Sequence, residues 1–142
     1  MTTFPNGAVF HLKAQIKKRI PTEEEDQIDL VQWFDRQYPA LRGRLAAVPN
    51  GGHRNKATAG KLKASGVRAG VPDLQLLTPR HGFAGLIIEL KREKGGQLSS
   101  EQADWLDWLS AQGFMAVCCK GFAAARETIR NYLEGEGNHA TE

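Results

Sequence analysis

The order of the predicted elements places this chain in the α/β class, with a mixed central sheet flanked by helices. Short apolar runs typical of strands alternate along the sequence with segments of helical periodicity. Two of the strands follow one another across a short turn, and a further strand comes only after a helix, which combines antiparallel and parallel pairing in one sheet. The chain has 142 residues, 41% of them hydrophobic and 25% charged, which suits a single domain around one core.

The first helix is predicted over residues 23–37. Thr22 is a typical N-cap, and Glu25 three positions later completes a capping box. Pro39 sets the C-terminal limit of this helix. The apolar residues between these limits recur at helical spacing: Ile28, Leu30, Val31 and Phe34.

The remaining elements follow from apolar runs bounded by glycine, proline and capping residues. Strands are predicted over 45–48, 74–78, 85–91 and 114–118, and helices over 56–64, from Ser99 or Ser100 to 111, and over 122–133. The strand over 85–91 is expected to be central because Leu86, Ile87 and Ile88 form a continuous apolar run. The strand over 114–118 is expected to be buried on both faces. Trp105, Leu106 and Leu109 are expected on the core side of their helix.

Cysteine usage predicts neither a disulfide nor a zinc site. The two cysteines, Cys118 and Cys119, are adjacent and therefore point to opposite faces of a strand. We interpret them as small buried apolar residues.

The chain divides into a basic N-terminal arm (1–20), one folded domain (21–134) and a polar tail (135–142). No run of about 18 apolar residues is present, so no membrane span is expected. The N-terminus also lacks the apolar segment of a signal peptide. A cytoplasmic protein, bacterial or phage-encoded, is therefore expected.

Positive charge is concentrated in the middle of the sequence. The net charge is only +3, but the segment 36–72 carries eight basic residues and no acidic one. A long stretch of one sign points to a polyanion such as nucleic acid, although many basic residues serve only as solvated surface. We predict a DNA-binding set in and after the glycine-rich turn of this segment: Asn50, His53, Arg54, Lys56, Lys61, Lys63 and Arg68.

Acidic and basic residues stand at the ends of two consecutive strands. Asp73, after Pro72, opens one strand, and Glu89 and Lys91 close the next one sixteen positions later. In an antiparallel hairpin the start of the first strand lies beside the end of the second, so Asp73 and Glu89 should meet. Glu89 and Lys91 are two apart and project from the same face.

This combination suits hydrolysis of a phosphodiester. Two carboxylates are hard oxygen ligands for Mg²⁺ or Mn²⁺, and a lysine ammonium can steady the charge of the transition state. A turn aspartate and a surface ion pair would be the plainer interpretation. Glu89 directly follows an apolar run that is expected to be buried, which disfavours the interpretation as an ordinary surface ion pair.

Several linked segments resemble the virus-type replication-repair nuclease (VRR-NUC) family, a branch of the PD-(D/E)XK nucleases. The PD-(D/E)XK pattern corresponds to Pro72-Asp73 and Glu89-Leu90-Lys91. The surrounding matches run in the expected order along residues 23–133: Val48 to Arg54, Lys61 to Val67, Gly70 to Leu74, Gly85 to Lys91 and Leu98 to Gln102. The resemblance implies a restriction-endonuclease-like core.

The resemblance also implies roles for individual residues. Asp73 and Glu89 match the metal-binding acids, with the Leu90 carbonyl as a backbone ligand, and Lys91 matches the catalytic lysine. Gln102 matches the family's glutamine. For the glutamate that the family carries on its first helix we favour Glu23, with Glu24 and Glu25 as alternatives, since Glu25 also suits the capping box.

The function implied by the resemblance is a Mg²⁺- or Mn²⁺-dependent, structure-selective DNA endonuclease. Short stand-alone members resemble phage-type Holliday junction resolvases, which work on four-way junctions as homodimers. Three alternatives stay open: a DNA-binding module without catalysis, a flap or less selective DNA nuclease, and an RNA nuclease.

Overall fold

The computed structural model describes residues 19–49 and 56–135, together with the short strands β1 (Thr2–Thr3) and β2 (Val9–Phe10). The strands of the main sheet are β3 (Leu45–Ala47), β4 (Leu74–Leu76), β5 (Leu86–Lys91) and β6 (Met115–Lys120). The helices are α1 (Glu23–Gln37), α2 (Lys56–Ala64), α3 (Ser100–Ala111) and α4 (Phe122–Glu134), and a 3₁₀ turn covers Pro39–Leu41.

The central sheet is mixed, as the sequence predicts. Its strand order is β3-β4-β5-β6. The first three strands pair antiparallel, and β6 returns parallel to β5 after the crossover through α3. The α/β class with helices around a mixed sheet is therefore confirmed.

Strand β5 is the central element of the fold. All six of its residues are buried, and β4 and β6 pair with it on either side. Ile88 and Leu90 point into the main apolar core, which α1 and α4 cover. Because side chains alternate across a strand, Glu89 and Lys91 project from the opposite face.

The predicted limits of α1 are confirmed. Thr22 is its N-cap, and the reciprocal bonds of a capping box join Thr22 and Glu25. Leu30 and Phe34 on its inner face are fully buried. The amide of Tyr38 closes the helix on the carbonyl of Phe34.

The prediction for the last strand needs correction. The sequence predicts 114–118 buried on both faces, but β6 spans Met115–Lys120 and only Cys119 in it is buried. The reason is its place at the edge of the four-stranded sheet, where no strand of the described residues pairs with its outer side. Cys118 is half-buried rather than buried, and both cysteines are free thiols.

The apolar face of α3 is also narrower than predicted. Leu106 is buried, whereas Trp105 and Leu109 are only partly covered. Trp108 is 54% exposed and lies edge-to-face against Trp105. An exposed tryptophan on this helix leaves an apolar surface open to a partner.

Near the N-terminus, β1 and β2 form a short antiparallel pair, which the sequence does not predict. Among the helices of the described residues, none combines the length and the apolar character that crossing a membrane requires.

Candidate active site

Asp73 and Glu89 meet at one end of the sheet. Leu74 pairs with Ile88 in the antiparallel register, so Asp73 lies opposite Glu89 at the next position. The Asp73 amide donates to Glu89 Oε2 at 3.2 Å, and the Leu90 amide donates to Asp73 Oδ2 at 2.8 Å. Each carboxylate is thus fixed by the backbone of the strand that carries the other.

Lys91 completes the cluster on the same face. Its ammonium lies 3.6 Å from Glu89 Oε1, with the two side chains 9% and 2% exposed. A buried charge needs a partner and hydrogen bonds, because removal from water disfavours the ionised form. Lys91 supplies that partner for Glu89.

The cluster holds more negative charge than Lys91 compensates. Burial raises the pKa of Glu89 to about 7, the neighbouring Asp73 carboxylate acts in the same direction, and Lys91 opposes both. A carboxylate with a pKa raised in this way accepts a cation readily, since the cation relieves repulsion with its neighbour.

Gln102 approaches Glu89 from the start of α3. Its Nε2 donates to Glu89 Oε1 at 2.7 Å, while its Oε1 accepts from the Ser99 amide at 2.8 Å. The Ser99 hydroxyl in turn accepts from the backbone N–H of Gln102, which completes a capping box. The cap therefore fixes which atom of the Gln102 side-chain amide, nitrogen or oxygen, faces the Glu89 carboxylate.

The close approach of α3 depends on Gly70. This residue has φ +85°, and a Cβ built on it would lie 2.6 Å from the backbone of Glu101. The loop before Asp73 and the first turn of α3 are thus packed backbone against backbone. In the sequence Gly70 stands only as part of a motif, and this contact gives it a positioning role.

The donor set fits a hard divalent cation. Two carboxylates face each other, and the Leu90 carbonyl belongs to the same stretch of β5 as the amide that bonds Asp73. These are oxygen ligands of the kind that Mg²⁺ and Mn²⁺ bind. Within residues 19–49 and 56–135 no group of three His, Cys, Asp or Glu side chains surrounds a common point. Water or substrate oxygens would have to supply the remaining ligands.

Among the described residues, the glutamates at the start of α1 form no hydrogen bond or ion pair with this cluster, although Arg92, next to Lys91, donates to the carbonyls of Ile20 and Pro21 just before the helix. Glu23 and Glu24 are exposed, and no hydrogen bond or ion pair of the described residues joins either to Asp73 or Glu89. Glu25 is bonded to Arg19 at 2.7 Å and to Thr22, and the Arg19 bond lowers its pKa to about 2. The assignment of Glu23 to the site remains a prediction.

The predicted DNA-binding residues fall into two groups. Lys56, Lys61 and Lys63 lie on α2, which has no buried residue, and Arg68 follows it with its guanidinium on the Lys63 carbonyl. Asn50, His53 and Arg54 lie outside the described residues. Val48, which shortly precedes them in the sequence, lies beside the site, because its amide donates to the Asp73 carbonyl at 2.8 Å.

Two residues that the sequence analysis does not assign to the site lie beside it, Ser99 and Lys120. The sequence predicts Ser99 only as one of two alternative helix caps, and it assigns Lys120 no role. Lys120 pairs with Lys91, and Cys118 with Glu89, in the parallel register of β5 and β6. The available sequence signal for Lys120 was its position just beyond the end of the predicted neighbouring strand, two residues after Cys118, as Lys91 stands two residues after Glu89.

Comparison with known proteins gives one family. The model of the VRR-NUC domain matches residues 21–123. A solved structure described as a VRR_NUC domain protein is 28% identical to this chain, with a TM-score of 0.73 over 82% of this chain and 92% of the other. None of the curated proteins is similar enough to count as a match.

Proposed function

Because this chain belongs to the VRR-NUC domain family, whose domain is a nuclease, we propose that it is a metal-dependent endonuclease that cuts branched DNA. The observation that supports this most is the cluster of Asp73, Glu89 and Lys91 at the end of a buried strand. Two carboxylates repel each other in a desolvated place, so the pair lowers the stability of the metal-free fold. A bound cation would offset this cost.

We assign Asp73, Glu89 and the Leu90 carbonyl to the metal, with Mg²⁺ or Mn²⁺ as the candidates. Such a cation lowers the pKa of a bound water and neutralises charge on the phosphate. The amide bonds that hold Asp73 and Glu89 keep the carboxylate oxygens in place before a cation arrives. This preorganisation is the contribution of the chain itself.

We assign to Lys91 the binding of the reacting phosphate or of the attacking water. Its three N–H donors exceed the single contact with Glu89, which leaves donors for the attacking water or a phosphate oxygen. Gln102 has a second amide hydrogen beyond the one donated to Glu89 and can bind the same water or phosphate. Both side chains are held by neighbours, so Lys91 offers a fixed positive charge and Gln102 a fixed dipole to the developing negative charge.

The nuclease domain is proposed to extend over 21–134, between a basic arm (1–20) and a polar tail (135–142). Within it we assign DNA contact to Lys56, Lys61, Lys63 and Arg68, and to the loop with Asn50, His53 and Arg54. The exposure of α2 and the hydrogen bond of Val48 to Asp73 support this assignment. Glu23 is proposed as the first-helix acid, and a comparison of cleavage by Glu23→Ala and Glu24→Ala tests that choice.

The preferred substrate is proposed to be the four-way junction, cut by a homodimer of a short phage-type nuclease. Two symmetric cuts require two active sites related by a two-fold axis. The 54% exposed Trp108 supports a subunit contact on α3. The proposal for the junction otherwise derives from the resemblance of short family members to resolvases.

A panel of labelled DNA substrates tests the proposal. Four-way junction, linear duplex, flap and single strand are each incubated with Mg²⁺, Mn²⁺ or EDTA. Paired symmetric nicks in the junction, dependent on metal, are expected. Metal-dependent cutting of flaps or duplex alone would exclude the four-way junction as the preferred substrate. Binding without cutting under every metal would favour a DNA-binding module.

A further inference from the structure

Lys120 lies directly beside Lys91 at the end of the sheet. The two residues are Cα partners in the parallel pairing of β5 and β6. Adjacent strands are about 4.8 Å apart, and paired residues project from the same face. Lys120 therefore extends from the face that carries Glu89 and Lys91, one strand further along the sheet.

The charge environment of Cys118 supports this placement. Cys118 pairs with Glu89 on the same face. Its thiol has a pKa raised first by burial and then by Glu89, while Lys91 and Lys120 act in the opposite direction. Both lysines and the glutamate thus lie close enough to one thiol to influence its ionisation.

The two lysines differ in what surrounds them. Lys91 is 7% exposed and bound to Glu89, whereas Lys120 is exposed. Within the part of the chain that the structure describes, no carboxylate forms an ion pair with Lys120. Like charges at paired positions of a sheet are destabilising.

Lys120 is also unfavourable for the helix that follows. Gly121 is the N-cap of α4, so Lys120 is the residue just before the positive end of the helix dipole. The paired Lys91 and the start of α4 are therefore both unfavourable neighbours for a cation, while the side chain of Glu93 lies against Gly121 without an ion pair to Lys120 among the described residues. A bound anion would be stabilised by the Lys120 ammonium.

We propose that Lys120 binds the phosphate adjacent to the scissile one and so positions the DNA on the metal site. This inference rests on the proposed nuclease function and names a substrate contact within it. Lys120 stands on the β6 side of the carboxylate pair, one strand from Lys91, so its ammonium can reach the phosphate next to the one at the metal site.

The test compares Lys120→Gln and Lys120→Arg with Arg80→Gln. Arg80 closes the hairpin between β4 and β5 at the opposite end of the sheet, so its variant is a control for loss of one positive charge. Binding of a labelled four-way junction is measured in EDTA over a range of salt, followed by single-turnover cleavage with Mg²⁺ and by thermal unfolding.

Lys120→Gln is expected to weaken binding several-fold and to reduce the slope of log K against log salt by about 0.9, the value for removal of one phosphate interaction. Cleavage at saturating DNA should change less than the affinity does. Lys120→Arg should restore both affinity and slope, Arg80→Gln should resemble the wild type, and the unfolding temperature of Lys120→Gln should stay equal or rise.

An unchanged salt slope in Lys120→Gln, or a loss of stability that Lys120→Arg does not repair, would overturn the proposal. Failure of the nuclease function has a different signature. In that case the wild type itself would cut no DNA in the panel with any metal, whether or not it binds DNA.

Discussion

The side-chain nitrogen of Gln102 lies 2.7 Å from Glu89 Oε1, while the oxygen of the same amide accepts from the Ser99 backbone. One side chain therefore caps a helix and holds a carboxylate of the candidate active site. The capping bond fixes the orientation of the amide, because a rotated amide would break both hydrogen bonds. The position of α3 and the orientation of Glu89 are coupled through this residue.

Gln102→Glu separates the two roles of this side chain. A glutamate at the third helical position can still complete the capping box, but it places a third carboxylate against Glu89. Loss of a hydrogen bond to a charged group costs about 1.5–3 kcal/mol, so single-turnover cleavage should slow by about tenfold or more. The unfolding temperature should fall as well, because the lost bond also stabilises the folded state, so cleavage is compared at a temperature at which both proteins are fully folded. Wild-type cleavage by Gln102→Glu would show that the hydrogen bond to Glu89 has no part in activity.

Gly70→Ala tests the packing that brings α3 to the site. The added Cβ would meet the Glu101 backbone at 2.6 Å, so the helix would have to retreat and carry Gln102 with it. Gly82→Ala is the control, because φ is +84° there and +85° at Gly70, but a Cβ at Gly82 meets nothing within 4 Å. Both variants should lose about 1–2 kcal/mol from backbone strain. Only Gly70→Ala should also lose cleavage at saturating DNA; equal activity of the two variants would contradict the positioning role.

The metal-free protein should become less stable as pH rises through the range in which Glu89 titrates. The pKa of Glu89 is raised, first by burial and then by Asp73, to about 7 in the folded chain. Between its ordinary value and this one, the folded state holds a proton that the unfolded state has released. The free energy of unfolding therefore falls with rising pH across that window.

Urea denaturation in EDTA at about pH 5 and about pH 8 measures this effect. Glu89→Gln should show a smaller loss of stability between the two pH values than the wild type. Asp26, with its pKa raised by burial, contributes in the same direction in both proteins, so the difference between them is the relevant quantity. Identical pH dependence in both proteins would contradict the raised pKa of Glu89.

Truncation of the basic helix should weaken binding without altering chemistry. Lys56→Ala and Lys61→Ala each remove an exposed cation from α2, which has no buried residue, so the fold should be unaffected. The salt slope of DNA binding should flatten by about 0.9 for each phosphate interaction that is removed. A slope equal to that of the wild type would place these lysines away from the DNA.

Much of the fold was predictable because local signals agreed with the final packing. Thr22, Glu25 and Pro39 mark the limits of α1 by capping and by the missing amide of proline, and the structure has those limits. The pairing of Asp73 with Glu89 followed from the alternation of a hairpin, which needs no knowledge of the remaining chain.

What depended on tertiary neighbours could not be predicted. The run from Phe114 to Cys118 suggested a strand buried on both faces, but its burial depends on whether another strand lies beyond it. The contact between Gly70 and Glu101 brings together residues that are distant in the sequence. It depends on how closely α3 packs against the loop before Asp73, which no local pattern encodes. The position of Lys120 beside Lys91 likewise required the parallel register of β5 and β6.

The most direct test of the metal assignment is cleavage and binding by Glu89→Gln beside the wild type, with Mg²⁺, Mn²⁺ or EDTA. Glutamine keeps the shape of the side chain and removes the charge that would hold the metal. We expect Glu89→Gln, like Asp73→Ala, to lose cleavage with either metal while it binds the junction as tightly as the wild type does in EDTA. Metal-dependent cleavage by Glu89→Gln at the wild-type rate would contradict the assignment of the metal to Asp73 and Glu89.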